Sequence, residues 1–330
     1  MRRLTATFLL SLLLAASAQA APVQFDFRSN FLLNLHSFLY HTAKQPEGLQ
    51  RTAWMVQPTG PEMQQLQAAV DYYRLNYASR HPVFDEELAY ITDTLAGDDD
   101  RRDPDGLALP QALARALRDA APAYARTAWP AHDRLNREWI ASLRQLNQRY
   151  GEQIQDRASA WFGQAYPAGI RVDVVPQTGT RQGAYTLDEP PHSVMPSGNR
   201  EYQGLFALEM LYHEASHAGA IQPLMQALEK AAQEQGRDAG DLWHVLQFSA
   251  VGAAAQQTLA AHGITYTPYA NNKDLYRAAW PEYMEPLQAV WLPYLAGKMQ
   301  RDQAVAELVR RLPLRAPAKA PPSSAQKLAN

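Results

Sequence analysis

The stretch Gln203-Gly204-Leu205-Phe206-Ala207-Leu208-Glu209-Met210-Leu211-Tyr212-His213-Glu214-Ala215-Ser216-His217-Ala218-Gly219 holds the chain's most informative pattern. Its apolar residues recur at helical spacing, which predicts a helix through the motif His-Glu-x-x-His. Two histidines four residues apart on a helix project from one face, about one turn apart. One metal ion can then take both imidazoles, and Glu214 can reach a water on that metal.

Working outward, a third ligand is needed. His244 lies 27 positions past His217, in Asp241-Leu242-Trp243-His244-Val245-Leu246-Gln247-Phe248. Its helix continues into Gly252-Ala253-Ala254-Ala255, whose small side chains would let it pack close to the motif helix. Asp241 shares a helix face with His244 and could orient it, or be the ligand itself. Glu282 and Glu285 are further alternatives, and a core histidine beside Trp243 is the plain reading of His244. His36, on or beside an apolar helical stripe, and Tyr269 are candidate donors to a developing oxyanion. Each also reads as a residue packed on the core.

The remaining periodicity predicts a mainly α protein with a small β-sheet, an α+β fold. Helices are expected at 30–44 with Ser29 as N-cap, 61–77, 84–95, 110–124 and 132–166, the last long and either continuous or broken at Gly151. Short β-branched runs at 171–175, 183–187 and 192–196 come directly before the motif helix, divided by Gly and Pro. Helices follow at 223–235, 239–261, 275–296 and 302–312. Residues 97–106 form a charged, helix-breaking loop without calcium-loop spacing. The expected organisation is a signal peptide at 1–20, a helical region at 21–166, a catalytic region at 167–312 and a disordered tail at 313–330.

The N-terminus carries Arg2 and Arg3, a short apolar run and Ala18-Gln19-Ala20, the pattern of a cleaved secretory signal. A periplasmic or secreted protein without stable membrane insertion is expected. The net charge of −2 becomes −4 once Arg2 and Arg3 leave, which offers no basic face for nucleic acid. With no cysteine, disulfides and thiolate ligands are excluded, so a transition-metal site must use histidine and carboxylate. Hydrophobic residues at 46% suffice for a sizeable core.

The region around 171–219 resembles the zincin metallopeptidases, and the chain as a whole has the look of an exported bacterial-type family. The resemblance implies a Zn2+ ion held by His213 and His217, Glu214 as general base, and an edge strand pairing with an extended peptide substrate. The segment 192–196 is the expected edge strand. The metzincin extension fails, with Ala220 and Pro223 where Gly and His would stand, and no thermolysin-type third-ligand segment follows. The expectation is a zinc metallopeptidase acting on peptides or proteins, including cell-wall peptides. The alternative is an exported, non-catalytic scaffold or binding protein that keeps a metal-site helix.

Overall fold

A computed structural model of the chain describes residues 21–97, 101–179, 183–188 and 190–314. The expected signal segment at 1–20, part of the charged loop at 98–100 and the tail from 315 lie outside the described residues. Pro313 and Leu314, expected to open the tail, are paired instead: Asp238 N donates to Pro313 O at 3.3 Å, and Leu314 bridges Arg237.

The fold is mainly helical with one four-stranded mixed sheet, as the α+β expectation holds. The strands are β1 (Gln24–Arg28), β2 (Gly169–Val175), β3 (Tyr185–Asp188) and β4 (Pro191–Pro196), in the order β1-β2-β4-β3. The first three in that order are parallel and β3 is antiparallel to β4. Both faces of this sheet are covered. Val172, Val174 and Met195 face one hydrophobic cluster, while Val175, Val194, Tyr185 and Leu187 face the other. Alternation along each strand sends neighbouring residues to opposite cores, so β4 is buried from His192 to Pro196.

The sheet departs from expectation in two respects. The strand β1 is additional to the three expected; its five residues directly precede the first helix and pair with β2 in register Gln24 to Gly169. The segment 192–196 is not the edge strand. It lies between β2 and β3, and the edges of the described sheet are β3 on that side and β1 on the other.

One cluster is built on α1 (Phe31–Lys44), α2 (Gly60–Asn76), α3 (Glu86–Ala96) and α4 (Gln111–Thr127). The N-cap of α1 is Asn30 rather than Ser29, because its Oδ1 accepts from Leu33 N at 2.9 Å. A capping box between Thr59 and Glu62 opens α2. The helix α5 (Trp129–Phe162) runs unbroken through Gly151 and ends at Gly163, whose φ of 81° suits a glycine C-cap. Gly151 marks a close approach, since a Cβ there would collide with Asn147 and the Tyr212 hydroxyl.

The second cluster holds α6 (Gly204–His217), α7 (Gln222–Glu234) and α8 (Leu242–Ala261). The expected single helix at 275–296 is instead several short turns. They are Leu275–Ala279, a 3-10 turn Pro281–Tyr283, an α turn Met284–Pro286, a π turn Leu287–Trp291 and Leu292–Leu295. Prolines 281, 286 and 293 remove the N–H donors a continuous helix would use. A last helix, Arg301–Arg310, closes the cluster. No helix among the described residues is long and apolar enough to cross a membrane.

Candidate metal centre

The helix α6 is buried from Ala207 to Ser216, an all-round apolar environment set by its position between the sheet edge, α5 and α8. The Tyr212 hydroxyl donates to Asn147 Oδ1 at 2.8 Å, and the Tyr166 hydroxyl donates to the Tyr212 carbonyl at 3.1 Å. These bonds fix the turn that carries His213. On α8, Gly252 lies beside Glu209 of α6 and Pro268, leaving no room for a larger residue. The small-residue stretch therefore does bring α8 close to α6, and its first turn carries His244 to the motif.

His213, His217 and His244 converge, each offering a ring nitrogen, with the three nitrogens within 4.8 Å of one another. The Nε2 atoms of His213 and His244 are 3.3 Å apart. Two nitrogens of a tetrahedral site with bonds of about 2.0–2.1 Å would be separated by roughly 3.3 Å. The donor set therefore fits a metal ion. Burial is the main cause holding all three imidazoles neutral: His213 is pushed well below its usual range, His217 to about 3 and His244 to about 4. The neutral ring is the form that offers a lone pair to a metal.

Glu214 is buried beside this cluster. Burial pushes its carboxyl up to about 7, opposed by the Thr186 hydroxyl, which donates to Oε2 at 2.9 Å. Thr186 Oγ1 also lies 3.0 Å from the Glu214 carbonyl and 3.0 Å from Ser193 Oγ. Edge strand β3 thus touches the glutamate directly. A cation in the cluster would act on the carboxyl in the opposite sense to burial.

Several neighbours of the cluster are not among the site residues expected from the sequence. Gln247 Nε2 donates to the His213 carbonyl at 3.1 Å and to Ser216 Oγ at 2.6 Å, holding the histidine backbone. Phe248 stacks on His213 at 3.9 Å, Trp243 on His244 at 4.8 Å, and Trp280 meets His244 edge-on at 5.3 Å. Gln247 and Phe248 stand three and four residues after His244, so helical spacing could have found them. Thr186 had no such signal, since its role depends on which strand is the edge.

The other expected site residues fall elsewhere. His36 is buried in the opposite cluster, its Nδ1 2.8 Å from the Tyr73 hydroxyl and its ring stacked near Tyr40. It is a satisfied core histidine. Tyr269 packs on Tyr202 and Phe206, and its hydroxyl donates to Glu201 Oε2 at 3.3 Å. Its backbone N–H donates to the Glu209 carboxylate, so it anchors a loop rather than joining the histidine cluster. Burial raises the hydroxyl pKa of its neighbour Tyr202 well above the usual range, with the charge of Glu214 the second cause. Asp241 is exposed at the start of α8 and outside the ligand group, though its charge favours the protonated form of His244. Glu282 is exposed, and Glu285 is paired with Arg311.

Comparisons with protein-family models, with curated proteins and with solved structures find no match.

Proposed function

We propose that the chain is an exported zinc-dependent hydrolase of the zincin kind, most simply a metallopeptidase. The observation that carries this reading is the convergence of three neutral imidazoles beside a buried glutamate that follows the first of them in sequence. His213, His217 and His244 would hold the ion. Zinc with three protein ligands supplies a polarised water whose pKa falls towards about 7.

The chain's own residues do the rest. Glu214 takes the proton of the attacking water and returns one to the leaving amine nitrogen. Thr186 holds Oε2, which leaves the second carboxylate oxygen for that proton. Phe248, Trp243 and Trp280 wall the cluster with apolar surface and limit access of bulk water. Strand β3, the edge strand that touches Glu214, takes the place of the central β4 as the strand to pair with an extended peptide. The N-terminal signal pattern supports a periplasmic or secreted location.

Metal content of the purified mature protein is the first test. Stoichiometric zinc, with hydrolysis of a mixed peptide library by wild type and none by Glu214→Gln, supports the reading. Zinc without hydrolysis would leave a binding protein or scaffold, and absence of a metal-dependent thermal shift would remove the metal site altogether.

A further inference from the structure

Glu209, on α6 ahead of the histidine motif, is a buried carboxyl that the chemistry above does not use; it is 1% exposed. The Tyr266 hydroxyl donates to Oε2 at 2.6 Å, and the Tyr269 N–H is shared between Oε1 at 3.1 Å and Oε2 at 3.0 Å. On its other side Oε1 lies against Gly252 of α8, where a Cβ would stand 3.2 Å away. No cation pairs with Glu209 among the described residues, and Lys273 is taken by Glu201 at 2.8 Å. The titratable groups that act on Glu209 or feel its charge are Tyr266, Tyr269 and Tyr276, all on the chain after α8. Helices α5 and α8 and the strands bring no titratable group to bear on it.

The chain over Glu209 is a strap, residues 264–273, bounded by two left-handed positions. Gly263 has φ 75° and Asp274 has φ 49°, and Asp274 is the one non-glycine residue with positive φ among the described residues. Such a backbone is costly for a residue with a side chain, so it marks a place where the chain is forced to turn. Between these ends only Tyr266, Pro268 and Ala270 are buried. Beyond Glu209, the strap is held by Gln256 of α8, which donates to the Tyr266 carbonyl at 3.0 Å, and by Glu201, which accepts from Tyr269 and Lys273. The Glu201 contacts are exposed and hold weakly. The Tyr269 ring packs on Tyr202, whose hydroxyl feels the charge of Glu214. The strap therefore forms the flank of the histidine site on the side of the base.

Burial pushes the Glu209 carboxyl up to about 7, with the Tyr266 hydroxyl and the Tyr269 amide opposing in part. With the strap lifted the carboxyl meets water, and its pKa returns to the ordinary 4.5. The closed strap therefore keeps a proton that the lifted strap releases between those values. Closure gains stability that is fully present below pH 4.5 and is lost as pH rises through about 7. Protonation loses no hydrogen bond, since a neutral carboxyl still accepts from the Tyr269 N–H and can donate its own proton to the Tyr266 oxygen.

We propose that Glu209 is the proton-operated catch of this strap, which stays shut over α6 when the carboxyl is protonated and loosens when it ionises. Lifting the strap is the smallest motion that brings a buried, unpaired carboxylate to water, so the opening is local rather than global. The device rests on the geometry around Glu209 and is independent of the proposed hydrolase activity.

Hydrogen exchange of the mature protein from about pH 4.5 to about pH 8 tests this. Exchange is corrected for intrinsic amide rates and read by mass spectrometry on peptide 264–274, with a peptide from α4 as reference. The opening ratio of the strap relative to α4 should rise about tenfold per pH unit between about 5 and about 7 and level off above. Glu209→Gln keeps an acceptor for Tyr269 but does not titrate, so it should remove the slope. Tyr266→Phe takes away a donor that favours the ionised form, so the levelling should move to higher pH. A packing role alone for Tyr266 would lower protection equally at every pH. The proposal is overturned if the wild-type slope is absent, if the α4 peptide shares it, or if Glu209→Gln keeps it. Should Glu209→Gln fail to fold, an unmoved levelling point in Tyr266→Phe overturns it.

Discussion

Buried neutral histidines occur on both sides of the sheet, and they differ in what their nitrogens meet. In the α1–α4 cluster, His36 and His132 each pair one ring nitrogen with a tyrosine hydroxyl, at 2.8 and 2.9 Å, and stand apart from one another's partners. In the α6–α8 cluster, His213, His217 and His244 turn towards each other, and His213 Nδ1 is buried with no partner among the described residues. Burial lowers the pKa in both regions, so a lowered pKa does not by itself mark a functional histidine. Convergence does, because three imidazole lone pairs placed together have no reason to meet in a core that could pair each separately.

The sharpest way to break this comparison is to remove one histidine from each side. His213→Ala or His244→Ala should abolish stoichiometric metal, read by elemental analysis of the dialysed protein. His36→Gln should leave metal content intact. If both substitutions lower it equally, the contrast fails. Next in size is Glu214→Gln, which removes the base and keeps the ligands. Turnover on any substrate that wild type hydrolyses should fall by about a thousandfold with metal retained.

A pH series separates the two regions in stability rather than activity. Burial lowers His36 from an ordinary 6.5 to about 4 in the folded chain. The unfolded chain therefore binds the extra proton between those values. The His36 contribution is fully present above pH 6.5 and is lost as pH falls through about 4. Its size is on the order of 3 kcal/mol. Urea denaturation of metal-free protein at pH 7 and pH 4.5 should show a smaller acid loss in His36→Gln, whose amide keeps a partner for Tyr73 but does not titrate. An equal loss in both would place the acid sensitivity elsewhere.

How much of this could be read from the chain alone follows from the same distinction. Spacing along a helix is local, so His213, Glu214 and His217 were legible, and His244 was reachable once α8 was seen to carry small residues that permit close packing. The order of strands is not local. Both β3 and β4 are short and face two cores, so no alternation distinguishes edge from centre, and 192–196 was assigned to the wrong place. The strand β1 was missed because Gln24–Arg28 is short and adjoins the expected signal segment. His36 misled because an apolar stripe with one histidine reads identically whether a tyrosine or a substrate lies opposite. Tyr73 came from α2, and only packing brings them together.

Thr186 provides the smallest and most discriminating test, because it is where the sheet edge meets the base. Its hydroxyl has one proton and two acceptors within reach, the Glu214 carboxylate at 2.9 Å and the Glu214 carbonyl at 3.0 Å, while Ser193 lies at 3.0 Å. With Ser193 donating to it, Thr186 can hold one carboxylate oxygen and so aim the other. Thr186→Val keeps the shape of the side chain and removes that donor, at a cost of about 1–2 kcal/mol in the orientation of the carboxylate. On a substrate that wild type cleaves, kcat should fall by about tenfold, with KM and metal content unchanged, and Thr186→Ser should restore it. A merely structural role would lower thermal stability in Thr186→Val without this split. An unchanged kcat would mean that Glu214 is oriented by the helix alone, and that the edge strand contributes no positioning to the base.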